Sequence, residues 1–120
     1  MIDIYAGKTA AKIINEQGFK PEIFTSFLGA SGGPKWFTLF GLDKYIFGEF
    51  FKHRTQPLNL IGSSAGAFRS ACFAQNDPVA AIKRLAKSYS QTRYSSNKPT
   101  PTEITTKARA LLEDVFGDDG

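Results

Sequence analysis

The chain has 120 residues, of which 42% are hydrophobic and 22% charged, and its 15 basic and 11 acidic side chains give a formal net charge of +4. This length suits one domain or a part of one, and the hydrophobic share is sufficient for a packed core, which argues against a disordered chain. The basic excess is small and scattered along the sequence, so nucleic acid is not an expected partner.

The single cysteine, Cys72, excludes an intrachain disulfide, and its apolar neighbours predict a buried side chain and not a reactive thiol. Residues 1–6 lack the basic start and long apolar stretch of a signal peptide. The most aromatic segment, residues 36–51, is too short and too charged to span a bilayer. The expected compartment is therefore the cytoplasm.

Apolar periodicity and turn residues predict the elements of the first half of the chain. In order, these are a helix over 7–17, a strand over 23–28, a glycine-rich loop over 29–34, a helix over 35–51, a strand over 58–61 and a helix from 65 to about 75. The order of strand, helix and strand is typical of a βαβ unit, whose strands run parallel. The expected fold class is therefore α/β with a parallel sheet.

The second half of the chain predicts two further helices joined by a polar loop. Asp77 is a typical N-cap for a helix that continues to about Tyr89. Residues 91–101 contain two prolines and predict the loop, and Thr100-Pro101-Thr102-Glu103 forms a capping box for a last helix to about Phe116.

The sharpest chemical signal is Gly62-Ser63-Ser64-Ala65-Gly66, which lies between a predicted strand and a predicted helix. A serine on such a tight turn exposes its hydroxyl as a nucleophile, and the small residues Gly62, Ala65 and Gly66 avoid clashes with the crowded backbone. Ser63 is a competing nucleophile, but only Ser64 has a glycine two residues away on both sides. A plain glycine–serine loop is the alternative interpretation.

A second glycine-rich loop, residues 29–35, leaves a predicted strand and opens a helix. Its bare N–H groups could bind an anion, either a phosphate or the oxyanion of an acyl-transfer intermediate. The spacing of its glycines does not match the fingerprint of dinucleotide-binding loops.

Together the two loops resemble those of the patatin-like phospholipases, over roughly residues 23–75. Gly32-Gly33-Pro34-Lys35 matches the end of that family's oxyanion loop, and Gly62 to Ala67 matches its nucleophile motif. Gly29-Ala30-Ser31 replaces the family's usual Asp-Gly-Gly, and Trp36 stands where another glycine is common.

The resemblance implies a parallel-sheet sandwich that hydrolyses lipid esters with a Ser-Asp dyad and without a cofactor or metal. It makes Ser64 the nucleophile, Gly32 and Gly33 the oxyanion donors, and Lys35 the basic residue that supports the loop. The expected partner is a lipid or another acyl ester, and peripheral contact with a membrane surface is left open.

The base that would activate Ser64 is not evident in the sequence. His53, the only histidine, precedes the serine and is expected in a solvated loop. The family's aspartate lies in Asp-Gly-Gly or Asp-Gly-Ala after a strand, whereas Asp119-Gly120 follows a predicted helix and reads as a coincidental turn. We therefore expect the aspartate outside this chain, and residues 1–120 to form the N-terminal portion of a patatin-like domain.

Several alternatives remain open at this point. The chain could be a non-catalytic fragment, a phosphate- or nucleotide-binding module built on residues 29–35, or an acyltransferase. The aromatic residues of 36–51 are expected to pack in the core and not to meet lipid. Arg69 could be a surface charge or a contact to a lipid headgroup.

Overall fold

The computed structural model describes residues 3–92 and 97–117. This part of the chain contains five α-helices and two β-strands, with shorter 3₁₀ and π turns between them. In chain order they are α1 (Lys8–Gln17), β1 (Ser26–Gly29), α2 (Phe40–Tyr45), β2 (Asn59–Gly62), α3 (Ala65–Phe73), α4 (Pro78–Gln91) and α5 (Pro101–Phe116).

The two strands pair in parallel, from Ser26 opposite Asn59 to Gly29 opposite Gly62. The predicted α/β class is thus confirmed at this level. Because both strands end at paired glycines, the glycine-rich loop and the serine turn leave the sheet side by side, at the same edge. The pairing of Gly29 with Gly62 therefore determines where the glycine-rich loop and the serine turn lie relative to each other.

The first strand begins later than predicted. Pro21–Ile23 forms a 3₁₀ turn, in which the Phe24 N–H donates to the Pro21 carbonyl at 3.3 Å, and β1 starts only at Ser26. Proline fixes its own φ near the helical value, so it favours a turn at the point where the apolar run suggested a strand. The second strand is displaced by one residue, from 58–61 to Asn59–Gly62.

The helix predicted over 35–51 is continuous but irregular. A 3₁₀ segment (Gly33–Leu39) leads into α2, and a π-helical turn (Ile46–Phe50) ends it. Pro34 occupies the first turn, as predicted. A Cβ on Gly48, within this π turn, would lie 2.7 Å from Val79 Cγ2, so the absence of a side chain at Gly48 allows the helix to approach α4 closely.

The aromatic side chains of this segment mostly pack inward. Trp36 is buried, and Phe47 stacks on Phe73 of α3 with ring centroids 3.7 Å apart. Phe27 of β1 meets both of these phenylalanine rings edge-on, at 5.2 and 5.4 Å. Core packing is therefore the correct interpretation for the inner rings, whereas Tyr45 is exposed.

The predicted helix caps are present. Asp77 Oδ1 accepts a hydrogen bond from the Ala80 N–H at 3.0 Å, and Thr100 Oγ1 accepts one from the Glu103 N–H at 3.1 Å. Helix α3 ends at Phe73, slightly before the predicted end, and α4 extends to Gln91. Residues 93–96 of the predicted loop lie outside the described residues.

The core lies on one side of the sheet, between the strands and helices α3, α4 and α5. Ala81, Ile82 and Leu85 of α4 are fully buried at its centre, because they recur at helical spacing on one face. On the other side of the sheet, the laterally paired Leu28 and Ile61 are 72% and 58% exposed. In the part of the chain that the structure describes, no helix combines the length and apolar character needed to cross a membrane.

Candidate active site

Ser64 occupies the turn between β2 and α3 with φ 52° and ψ −123°. It is the only non-glycine residue with positive φ among the described residues. Such a conformation costs about 1–3 kcal/mol and persists only where the surroundings enforce it. Hydrogen bonds to the Ser64 carbonyl from the N–H groups of Ala67 (2.8 Å) and Phe68 (3.2 Å) hold it at the start of α3.

The glycines around Ser64 are required by close packing. A Cβ on Gly62 would overlap the Gly66 carbonyl oxygen, and a Cβ on Gly66 would overlap the Gly29 carbonyl oxygen. Ala65 is buried beside them. The first turn of α3 therefore lies directly on the ends of both strands, and this contact fixes where Ser64 emerges.

Ser63 differs from Ser64 in conformation and in surroundings. Its φ is not positive, and its N–H donates to the Gly29 carbonyl at 3.1 Å, which continues the pairing of the two strands. Ser64 lines a cavity, whereas Ser63 does not line it. Of the two serines, Ser64 is thus the one that lies on the strained turn and borders a cavity, as the motif suggested.

The glycine-rich loop lies next to this turn because Gly29 pairs with Gly62. Gly33 has φ 55°, a conformation that favours glycine, and the Lys35 N–H closes the turn on the Gly32 carbonyl at 3.2 Å. Within the described residues, neither the Gly32 nor the Gly33 N–H donates to another backbone carbonyl. Pro34 reaches the cavity that Ser64 lines.

Lys35 contributes to this loop through its backbone. Besides its N–H bond to Gly32, its carbonyl accepts a hydrogen bond from Thr38 Oγ1 at 2.9 Å. Its side chain is exposed and lines a separate groove along β1, together with Gly32 and Trp36.

The cavity at Ser64 has a volume of about 340 Å³. Ser64, Ala65 and Phe68 line it beside the start of α3, one face of α5 forms a second wall, and Pro34, Tyr89 and Thr92 complete the lining. The α5 residues that line it are Ile104, Lys107, Ala108 and Leu111. Most of the lining is apolar, and no acidic side chain of the described residues belongs to it.

The one carboxylate buried in the described structure is Asp43 of α2, which is engaged elsewhere. Its Oδ2 accepts from Arg69 Nε at 2.8 Å and its Oδ1 from Arg69 Nη2 at 2.6 Å. Both residues are at least 95% buried, and the Arg69 guanidinium lies 5.7 Å from the centre of the Phe27 ring. Arg69 is therefore neither a surface charge nor a headgroup contact, because Asp43 holds it inside the core.

The other groups considered as bases or nucleophiles lie away from Ser64. His53 is exposed in the turn before β2, next to Arg54, which binds the Pro57 carbonyl at 3.0 Å. It precedes the strand that Ser64 follows, so the two residues belong to opposite edges of the sheet. Asp119 and Gly120 lie outside the described residues.

Cys72 is fully buried in α3, as its apolar neighbours predicted. Burial raises the pKa of its thiol from 9.0 to about 12, so the thiol stays protonated near neutral pH. Nor do any three His, Cys, Asp or Glu side chains of the described residues converge as a metal site would require.

Two features of the site were not visible in the sequence. The spacing of residues 104, 108 and 111 indicates a buried face of α5, but not that this face lies opposite Ser64. The Asp43–Arg69 pair joins residues 26 positions apart, for which no local pattern exists. Comparisons of this chain with models of known protein families, with curated proteins and with solved structures each give no match.

Proposed function

We propose that this chain carries the nucleophile and the oxyanion hole of a patatin-like serine acyl hydrolase that cleaves carboxylic esters of lipids. The observation that carries the proposal is the backbone of Ser64, which is strained at φ 52° between a parallel strand and a helix. That position exposes the hydroxyl and keeps it next to a glycine-rich loop.

In this proposal, the Ser64 Oγ attacks the ester carbonyl and loses its proton to a general base. The N–H groups of Gly32 and Gly33 stabilise the negative charge that develops on the carbonyl oxygen, and the N-terminus of α3 adds a favourable dipole. The alcohol then leaves, and the acyl group remains on Ser64 as an ester. Water attacks this ester and releases the carboxylic acid.

The proposed base is an aspartate supplied from outside residues 1–120. The lining of the Ser64 cavity supports this assignment, because no acidic side chain of the described residues is part of it. Both carboxylate oxygens of Asp43 accept hydrogen bonds from Arg69, so Asp43 is not available to accept a proton from a serine hydroxyl. The chemistry requires no metal or cofactor, because the base and the oxyanion donors are protein groups.

A fluorophosphonate probe tests the proposal, because it forms a covalent bond only with an activated serine. We expect the probe to label a longer protein that supplies the aspartate, and Ser64→Ala in that protein to abolish labelling. Ser63→Ala is the matched control, because this serine is the immediate neighbour of Ser64 and does not line the cavity. It should keep labelling within a few-fold of the unmodified chain.

Labelling that survives Ser64→Ala, or no labelling even of a longer protein that supplies an aspartate after this segment, would overturn the proposal. Saturable binding of inorganic phosphate or a nucleotide that survives Ser64→Ala, without any labelling, would favour an anion-binding module built on residues 29–35.

A further inference from the structure

The cavity between the serine turn and α5 has an inner and an outer end. Ala65 and Leu111 are buried and form its inner part, whereas Ile104 and Lys107 are exposed and form its outer part. Ser64 is exposed but borders the same space. A substrate whose reacting carbon meets Ser64 would therefore extend either inward between apolar walls or outward to solvent.

Resting on the proposed function, we infer that this cavity binds the acyl chain of the substrate and that α5 limits that chain to short and medium lengths. The inward direction suits an acyl chain because Phe68, Leu111 and Ala65 are apolar and uncharged, and the lining as a whole is mostly apolar although Tyr89 and Thr92 also belong to it. The alcohol must leave after the first step, so it belongs on the open side, where the Lys107 ammonium is exposed.

The size of the cavity sets the limit on length. A volume of about 340 Å³ is near the lower end of the roughly 300–1,000 Å³ typical of ligand pockets. At the about 30 Å³ that one water molecule occupies in the liquid, the whole cleft, including its open outer end, has room for roughly ten heavy atoms. An eight-carbon chain fits this space, whereas a sixteen-carbon chain would have to extend into solvent.

Ala108 is the residue that determines how much of this space is open. It lies in the middle of the α5 wall, one turn from both Ile104 and Leu111, and its side chain is the smallest of the three. A larger side chain at this position would fill the cavity without replacing a residue of the serine turn. Ala110 provides a matched control, because it is exposed on the same helix and does not line the cavity.

The test compares phosphonofluoridates with ethyl, octyl and hexadecyl chains by the rate at which they label Ser64. With the unmodified sequence, in a protein that supplies the aspartate, the octyl probe should react at least about tenfold faster than the ethyl probe, because burial of only two further methylenes at roughly fourfold each already exceeds that ratio. The hexadecyl probe should gain less than about threefold over octyl. In Ala108→Phe the octyl advantage should fall to about twofold.

Ala110→Phe should keep the full octyl advantage, and circular dichroism should show that both variants are folded. An octyl advantage that persists in Ala108→Phe, or a hexadecyl probe that reacts far faster than octyl, would overturn the inference while Ser64 labelling still supports the proposed function. If no probe labels Ser64 in a longer protein that supplies the aspartate, the proposed function fails and the inference fails with it.

Discussion

At the scale of single residues, the strained backbone of Ser64 depends on glycines that are close to it in space. Gly62 and Gly66 flank it in sequence, and Gly29 belongs to the neighbouring strand. A Cβ on Gly29 would lie 2.8 Å from the Gly66 carbonyl oxygen. The three glycines thus form a single backbone contact, which holds α3 against the sheet and Ser64 in its unusual conformation.

Replacing Gly66 by alanine should therefore be costly, because the added methyl group would overlap the Gly29 carbonyl. We expect Gly66→Ala to lower the free energy of unfolding in urea by about 1–3 kcal/mol or more, as other overpacked sites do. Gly41→Ala is the control, since a Cβ there meets no atom within 4 Å and α2 continues through it. It should raise stability by roughly 0.5–1 kcal/mol. Equal effects of the two substitutions on the free energy of unfolding would contradict the claim that Gly66 lies too close to Gly29 to carry a side chain.

The sequence predicted that Ser64 lies on a tight turn and that its flanking glycines are needed there, because the motif is local. It did not predict the role of Gly29, since that role exists only once β1 and β2 are paired. The positive φ of Gly33 was likewise not predictable. Glycine-rich loops adopt many backbone conformations, and this one is closed by the hydrogen bond from the Lys35 N–H to the Gly32 carbonyl.

At the scale of elements, the Asp43–Arg69 pair connects α2 to α3. Two charges in the core lose their hydration, and here both carboxylate oxygens regain hydrogen bonds from one guanidinium. The pair therefore fixes the orientation of α3, which begins at Ser64. Its contribution to the free energy of folding depends on both partners, because either charge alone would be buried without a counter-charge and would destabilise the fold.

Removing only Arg69 should leave a buried, uncompensated carboxylate. We expect Arg69→Met to lower the free energy of unfolding by about 3–5 kcal/mol, and Asp43→Leu with Arg69→Met to recover most of that loss. Urea unfolding of the two single variants and the double variant measures the coupling.

The exposed pair Lys12–Glu16, at 4.0 Å, serves as the comparison, and Lys12→Ala should cost less than about 1 kcal/mol. If Arg69→Met were as mild as Lys12→Ala, the buried pair would not be what holds α3 in place.

Element types were largely predictable from the sequence, whereas several boundaries were not. The caps at Asp77 and Thr100 depend on residues three positions apart, so they could be read directly. The π turn that follows α2 contains Gly48, which lies against Val79 of α4, and such a tertiary contact has no local sequence pattern. Arg69 was ambiguous for the same reason, since its partner lies on another helix.

At the scale of the whole molecule, the described residues 3–92 and 97–117 cover the sheet on one face only. Parallel sheets are usually packed on both faces, yet Leu28 and Ile61 lie side by side and largely exposed. Strand order and apolar runs predicted the α/β class but could not show which face would be covered.

This exposed pair should bind an apolar dye. We expect the chain to enhance the fluorescence of ANS, and Leu28→Thr with Ile61→Thr to reduce that enhancement measurably. Thr is compatible with strands, so the free energy of unfolding should change by less than about 0.5 kcal/mol. Leu112→Gln removes an exposed apolar side chain on α5 and is the control, which should leave the signal unchanged. Equal dye binding by the double variant would contradict the importance of this face.

The central claim is that Ser64 accepts an acyl group, and mass spectrometry of the acylated protein tests it most directly. The chain, alone and within a longer protein that supplies the aspartate, is mixed with an activated octanoyl ester, quenched with acid and digested. We predict a mass increase of one octanoyl group on the peptide that contains Ser64, with fragmentation assigning it to that residue and its loss in Ser64→Ala. The absence of an octanoyl group from Ser64 in the longer protein, with octanoyl groups only on Ser63 or on lysines and unchanged by Ser64→Ala, would contradict the account.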